Sequence, residues 1–353
     1  MQSAVPARVQ NGSRLPAYVW PVLAVALAAT PAFPAELTAE AINSAELSGK
    51  TLSTDKPSPL VVRLEVLLDR AHFSPGEIDG KFGENAKKAL RAYAEAHKLE
   101  SSGQLTDQIW KSLENDDSAP VLANYTIDNK DISGPFLRKL PHKMEDMKDL
   151  PHLGYTSPQE ALAEKFHMSE QLLLALNPGQ HFDRAGTTIV VADTGGQNAE
   201  PPLKAARVEI DKSRQTVELF DRSNNLIGFY PATIGSEEKP SPSGRLKVTA
   251  IQHNPTYHYD PKYHFKGVHA KKPFTIRPGP NNPVGIVWIN LSAEGYGIHG
   301  TPEPSKVSKA QSHGCVRLTN WDAERVASEL SKGTPVDFVD HSRSAGAKSG
   351  NPS

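Results

Sequence analysis

A chain of 353 residues exceeds one typical domain, and at about 150 residues per domain it predicts two or three. With 39 basic against 40 acidic residues, a formal net charge of −1 and 38% hydrophobic content, it reads as an ordinary soluble protein with no electrostatic case for nucleic acid. Its 29 prolines predict many loops and linkers, and past the N-terminal region no run of about 20 apolar residues is present that could span a bilayer.

The N-terminus departs from this average. Arg8 and Arg14 precede the apolar stretch Tyr18 to Ala29, which is followed by Thr30-Pro-Ala32-Phe33-Pro-Ala35. A positive region, a short apolar core and a small-residue exit form the order of a secretory signal peptide, so 1–35 is expected to be removed on export, with cleavage after Ala32 or Ala35. The alternative is an uncleaved anchor. Residues 36–57 are rich in Ala, Ser and Thr without a sustained period and read as a flexible spacer.

From Leu60 the pattern becomes helical, with Leu64, Leu67, Leu68 and Ala71 recurring on one face. A turn through Ser74-Pro75-Gly76 and Asp79-Gly80 leads to a second helix carrying Ala86, Ala89, Leu90, Tyr93 and Ala94, and Thr106 caps a third that buries Ile109, Trp110 and Leu113. On Ile78-Asp79-Gly80-Lys81-Phe82-Gly83, Ala89-Leu90-Arg91-Ala92-Tyr93 and Gly103-Gln104-Leu105-Thr106, residues 58–116 resemble the three-helix peptidoglycan-binding domain found beside wall enzymes. Ala94 stands where that family usually has Gln. The alternative is a helical packing unit with no ligand.

Residues 117–152 lose periodicity and read as a connector. Between 153 and 193, a helical run with Ala161, Leu162 and Phe166, a Ser169-capped helix through Leu172, Leu173 and Leu176, and the strand-like Gly186 to Val191 follow one another. This order resembles a lysin motif, a small α+β glycan-binding module, although the usual Gly-Asp turn is missing; the alternative is a structural hinge domain. Residues 194–204 have linker composition. Beyond them the period becomes 2: Val208 and Ile210, Val217 and Leu219, the return strand Leu226 to Tyr230, Leu246, Val248 and Ala250, Gly285 to Leu291, and Val336 to Val339. The region 205–340 is therefore expected to be mainly antiparallel β, a sandwich or partly closed barrel, before a disordered tail over 341–353.

The chemistry concentrates between Gly297 and Trp321. Cys315, the only cysteine, lies sixteen positions after His299 and two after His313. In an oxidising compartment a lone cysteine has no internal disulfide partner, and a neighbouring base or positive charge would lower its thiol from about 8.5 toward neutrality. Cys315 is thus the candidate nucleophile, His299 its base or ion-pair partner, and the Gly300 carbonyl the group that fixes the imidazole tautomer. Gly314 lets the backbone turn so that the amides of His313, Gly314 and Cys315 can converge on one oxyanion position. Ser312 and His313 are expected to shape the loop and contact substrate, with His313 as the alternative base, and Arg317 to pair with a substrate carboxylate or an ordinary structural partner. Asn320 is expected to cap the following helix.

On Ala232-Thr233-Ile234-Gly235, Pro240-Ser241-Pro242-Ser243-Gly244, Asn282-Pro283-Val284-Gly285, Ile298-His299-Gly300-Thr301 and Ser312-His313-Gly314-Cys315-Val316-Arg317, residues 205–340 resemble the catalytic domain of L,D-transpeptidases. Val307-Ser308 stands where members often have Ile-Gly. The resemblance implies a periplasmic, wall-associated enzyme without cofactor or metal, acting on peptidoglycan stems. Cys315 would form a thioester with release of terminal D-alanine, and an amine acceptor, which includes a wall-attached protein, would resolve it. Three alternatives remain: the same thiol as a stem hydrolase or wall-protein-detaching amidase; a zinc site on His299, His313 and Cys315 with His253, His258, His264 or His269; and a non-catalytic wall-binding protein.

Overall fold

The computed structural model describes residues 37–47, 52–100, 102–195, 204–235, 240–263, 268–310 and 314–341. The signal-like segment 1–35 and nearly all of the 341–353 tail lie outside them. No helix among the described residues is long and apolar enough to cross a membrane.

Part of the expected spacer is folded. A short helix, α1 (Ala39–Asn43), is capped by Thr38 Oγ1, which accepts from Ala41 N at 3.1 Å, and fully buries Ile42. One apolar anchor is too little to register as a period, which is why composition pointed to a spacer. Three longer helices follow: α2 (Pro59–Arg70), α3 (Glu84–Ala96) and α4 (Asp107–Asp116). Leu64, Leu68, Ala89, Leu90, Tyr93, Ile109 and Trp110 meet in one core. The turn between α2 and α3 is held from below: the buried Glu65 carboxylate accepts from Asp79 N and Gly80 N at 3.2 and 2.8 Å. Gly80 has φ +76°, and a Cβ there would lie 2.9 Å from Val62 Cγ2, so glycine is required on both counts.

The stretch expected as a connector contains strand β1 (Leu122–Thr126) and helix α5 (Asn129–Ile132). After α6 (Pro158–Lys165) and α7 (Glu170–Leu176), strand β2 (Thr188–Ala192) pairs antiparallel with β1, Leu122 opposite Ala192. The module therefore begins upstream of residue 153. Its first strand escapes sequence reading because only Leu122 of its five residues is buried, leaving no alternation. Asn177 locks the module: its amide donates to Leu173 O and Val190 O, and its Oδ1 accepts from Val190 N at 2.6 Å.

The C-terminal region is one curled, mixed sheet of eight strands. Its members are β3 (Arg207–Asp211), β4 (Thr216–Phe220), β5 (Leu226–Pro231), β6 (Gly244–His253), β9 (Val287–Leu291), β10 (Gly297–His299), β11 (Val316–Arg317) and β12 (Pro335–Val339). Between β6 and β9, the short strands β7 (Tyr257–Tyr259) and β8 (Phe274–Ile276) form a separate ribbon. The large sheet runs β11-β10-β9-β6-β12-β3-β4-β5; β10–β11 and β12–β3 are parallel and every other neighbour pair is antiparallel. Its two edges meet: Thr233, just past β5, exchanges backbone hydrogen bonds with Arg317 of β11, both at 2.9 Å. Of the two expected forms, the sheet takes the partly closed barrel. Helix α8 (Asn320–Glu329) lays Ala323, Val326 and Ala327 on its core.

A buried polar cluster ties α8 to the helical region. Arg325 donates to Asp69 O at 2.8 Å and pairs with Asp69 Oδ1 at 3.4 Å, while His167 Nδ1 meets Asp69 Oδ2 at 3.0 Å and stacks its ring on Trp321. Burial raises the Asp69 carboxyl, but His167 and Arg325 outweigh it and hold the group at about 2. Ser74 donates to Asp322, and His72 faces Glu329 at 3.1 Å. Removing one partner from such a cluster strands a buried charge, which typically costs about 3 kcal/mol or more. Arg325→Met should therefore lower the urea midpoint by an amount equivalent to about 3 kcal/mol with an unchanged m value. A loss below about 1 kcal/mol would show that the pair contributes no net stability.

Candidate active site

The parallel pairing of β10 with β11 brings the two motifs together. Ile298 stands opposite Val316 and His299 opposite Arg317, and on the other side of β10 His299 stands opposite Trp288. Alternation along these strands sends Ile298, Val316 and Ile289 into the core and puts Trp288, His299 and Arg317 on the opposite face. Cys315 precedes β11 on this side: its thiol donates to Gly295 O at 3.6 Å and receives the Gly297 amide. Gly297 keeps the place open, because a Cβ there would strike the Trp288 ring at 2.6 Å.

His299 is 3% exposed and stacks on Trp288 at 5.3 Å between centroids. Its Nδ1 lies 2.7 Å from the Gly300 carbonyl oxygen. A carbonyl can only accept, so Nδ1 carries the proton and Nε2 is a bare acceptor. Burial, reinforced by Arg317 and opposed by the Gly300 carbonyl, depresses the imidazole to about 3. Burial likewise raises the Cys315 thiol, against the smaller pull of the Gly297 amide and Arg317. The sequence-based expectation of a thiol lowered by its neighbours is thus corrected. Loss of hydration outweighs the neighbouring charge and favours the uncharged form of both groups.

Gly314 has φ +109° and its carbonyl accepts from Ser241 Oγ at 2.7 Å; Ser241 in turn accepts from Gly235 N at 3.0 Å. Nothing in the sequence places Ser241 against residue 314; the fold alone brings them together. Arg317 Nε is buried without a hydrogen-bond partner. Tyr257 of β7 completes the surroundings, its phenol raised by burial and by Cys315. Ser312 and His313 lie outside the described residues. The helix cap also differs from expectation: Thr319 Oγ1 accepts from Asp322 N at 3.1 Å, and Asn320 is the first helical residue, its side chain turned inward.

The link between the two motifs is pinned from the helical region. Asn85 donates to Val307 O at 3.1 Å and Lys88 to Ser308 Oγ at 2.7 Å, while Ser308 N donates to Thr233 Oγ1. Ser308 has φ +63°, the left-handed conformation that favours glycine. Of the histidines in the zinc alternative, His258 bonds Thr275 at 2.9 Å, and His264 and His313 lie outside the described residues. Among the described residues no three His, Cys, Asp or Glu side chains are placed to hold a metal.

The depressed imidazole has a consequence for stability. Between pH 6.5 and about 3 the unfolded chain binds a proton at His299 that the folded chain does not, so stability falls as pH drops through this window. The slope from this group is at most about 1.4 kcal/mol per pH unit. In His299→Gln the pH dependence of urea unfolding between pH 6.5 and 4 should flatten by up to one proton. An unchanged slope would place the histidine in a hydrated environment.

Comparison with known proteins matches two regions of the chain. The L,D-transpeptidase catalytic domain matches residues 205–338, and a peptidoglycan binding domain matches residues 57–113. The chain is 29% identical over 182 residues to L,D-transpeptidase YkuD of Bacillus licheniformis, covering 51% of this chain and 92% of that protein. It is 32% identical over 150 residues to L,D-transpeptidase YqjB of Bacillus subtilis, covering 41% and 78%. With L,D-transpeptidase YbiS of Escherichia coli it shares 27% over 192 residues, 53% of this chain and 61% of that protein. With a catalytic-domain match over the sheet that carries Cys315 and His299, and a relative at this identity covered over most of its length, the chain belongs to the L,D-transpeptidase family.

Proposed function

We propose that the protein is an exported cysteine L,D-transpeptidase that cross-links peptidoglycan stems, working in the periplasm against the wall. The observation that carries this reading is the Nδ1–H bond of His299 to the Gly300 carbonyl, which leaves Nε2 bare on the strand that pairs with the one Cys315 precedes. Because thiol and imidazole are both neutral at rest, His299 serves as a general base rather than half of a standing ion pair.

As the Cys315 sulfur attacks the carbonyl carbon at the L-centre of the third stem residue, its proton passes to His299 Nε2. The oxyanion is met by the amides of Gly314 and Cys315, with His313 as a further donor; one such donor is typically worth about 3 kcal/mol. Collapse breaks the bond to terminal D-alanine, whose nitrogen takes the proton from the imidazolium, leaving the stem as a thioester. An acceptor amine then attacks, gives its proton to His299, and the sulfur departs to regain it. Arg317, with its buried unspent Nε, is the candidate partner for a donor-stem carboxylate. The match over residues 57–113 supports the wall as the partner of the helical region.

Cys315→Ala and His299→Ala should each lower turnover at least about 10³-fold while binding of the full chain to wall sacculi persists. A carbapenem should add its mass at Cys315 and nowhere in Cys315→Ala. Product analysis by mass spectrometry should show cross-linked dimers; trimmed monomers alone would make the enzyme a hydrolase. Cross-links formed by Cys315→Ala would refute the nucleophile.

A further inference from the structure

The side chain of Asn320 occupies a slot closed by two glycines. A Cβ on Gly285 would lie 1.9 Å from Asn320 Oδ1, and one on Gly300 would lie 2.2 Å from it. No side chain fits at either position while the asparagine is there. Asn320 is 1% exposed, and its Oδ1 accepts from Ile286 N at 3.3 Å. Its amide donates to Pro280 O at 3.2 Å and, at 2.9 Å, to Glu164 Oε1. Glu164 sits on α6, 156 residues earlier in the chain and outside the catalytic region. The same Oε1 accepts the Tyr155 hydroxyl at 3.0 Å. Alongside, Asn281 donates to Glu160 Oε1 and to Gly154 O, and Leu153 exchanges backbone bonds with Pro278 and Asn281.

Gly300 stands at the other end of this chain of contacts. Its carbonyl holds the Nδ1 proton of His299, so the direction of that one peptide group decides which imidazole nitrogen is bare. We propose that Glu164 is a positioning residue for the reaction, supplied by the module between β1 and β2. By anchoring the Asn320 amide it keeps Oδ1 in the Gly285–Gly300 slot, and Oδ1 there holds the Gly300 peptide in the direction that fixes the His299 tautomer. Without the acceptor, Asn320 keeps only its longer bonds to Ile286 N and Pro280 O, the stop on the Gly300 peptide loosens, and the ring divides between two tautomers of which only one accepts a proton from Cys315. Burial lifts the Glu164 carboxyl to about 7 even with Asn320 and Tyr155 donating to it, and both protonation states retain an oxygen that accepts both bonds. The role therefore depends on hydrogen-bond acceptance and not on charge.

This inference rests on His299 as the base, and the experiment separates the two. In the full chain, carbapenem acylation of Cys315 is timed by mass spectrometry for the parent, His299→Ala, Glu164→Ala, Glu164→Gln and Glu164→Met. The Met variant fills the volume without accepting a bond and replaces Glu164→Ala should that variant fail to fold. Ring-¹⁵N histidine spectra report the His299 tautomer. Glu164→Ala or Glu164→Met should acylate at least tenfold more slowly and show a mixed tautomer. Glu164→Gln should stay within threefold of the parent with Nδ1 protonated. Acylation persisting in His299→Ala removes the base assignment and this proposal with it. A dead His299→Ala beside an unimpaired Glu164→Met, or a Glu164→Gln as slow as Glu164→Met, overturns the positioning role alone.

Discussion

Two backbone hydrogen bonds, between Thr233 and Arg317, close the curled sheet. The strand they secure is only two residues long and lies at the edge of the sheet beside β10. So short an edge strand has little register of its own, and a one-residue slip would carry Arg317 to the core face and Val316 out of it. Thr233 fixes β11 on its free side while Ile298 and His299 fix it on the other. Cys315, one residue upstream, inherits its place from that double constraint. Ser241 adds a third by holding the Gly314 carbonyl, so the turn before the thiol is tied to the strand it feeds.

Burial then decides the electrostatics. A thiolate facing an imidazolium is favoured where water or charge can stabilise both, and here the imidazole is 3% exposed and stacked on an indole. Burial thus favours the uncharged form of each group, and under the proposed mechanism charge separates only as the sulfur attacks. Interactions that strengthen with that separation act on the transition state rather than the ground state, which is where rate is gained. Arg317 is suited to this, since it opposes a protonated imidazole but favours a thiolate or an oxyanion. The protonated thiol is also the form that oxidants attack slowly.

Much of the fold is legible because its periods are long. Val208, Ile210, Val217 and Leu219 alternate over whole strands, and the faces of α2 to α4 recur over two turns or more. What is lost is short or sparsely buried: β1 with Leu122 as its one buried side chain, α1 with Ile42, and β7, β10 and β11 with three residues or fewer. The thiol and both histidines near it are visible as a chemical cluster, and so is the Gly300 carbonyl. Their protonation is not, because burial is a property of the folded surroundings. Asn320 shows the same limit. Its identity suggests a cap, whereas Thr319 takes that duty and Asn320 fits between two glycines distant in sequence.

The segment joining His299 to Cys315 is held at Val307 and Ser308 by Asn85 and Lys88, and Phe229 of the catalytic sheet packs into the helical core. The helical region thus supports the loop between the two motifs directly. Domain shuffling treats such regions as interchangeable cassettes, yet here the residues facing residues 307 and 308 would have to travel with any replacement. Replacing the helical region without Asn85 and Lys88 would therefore release the loop at Val307 and Ser308.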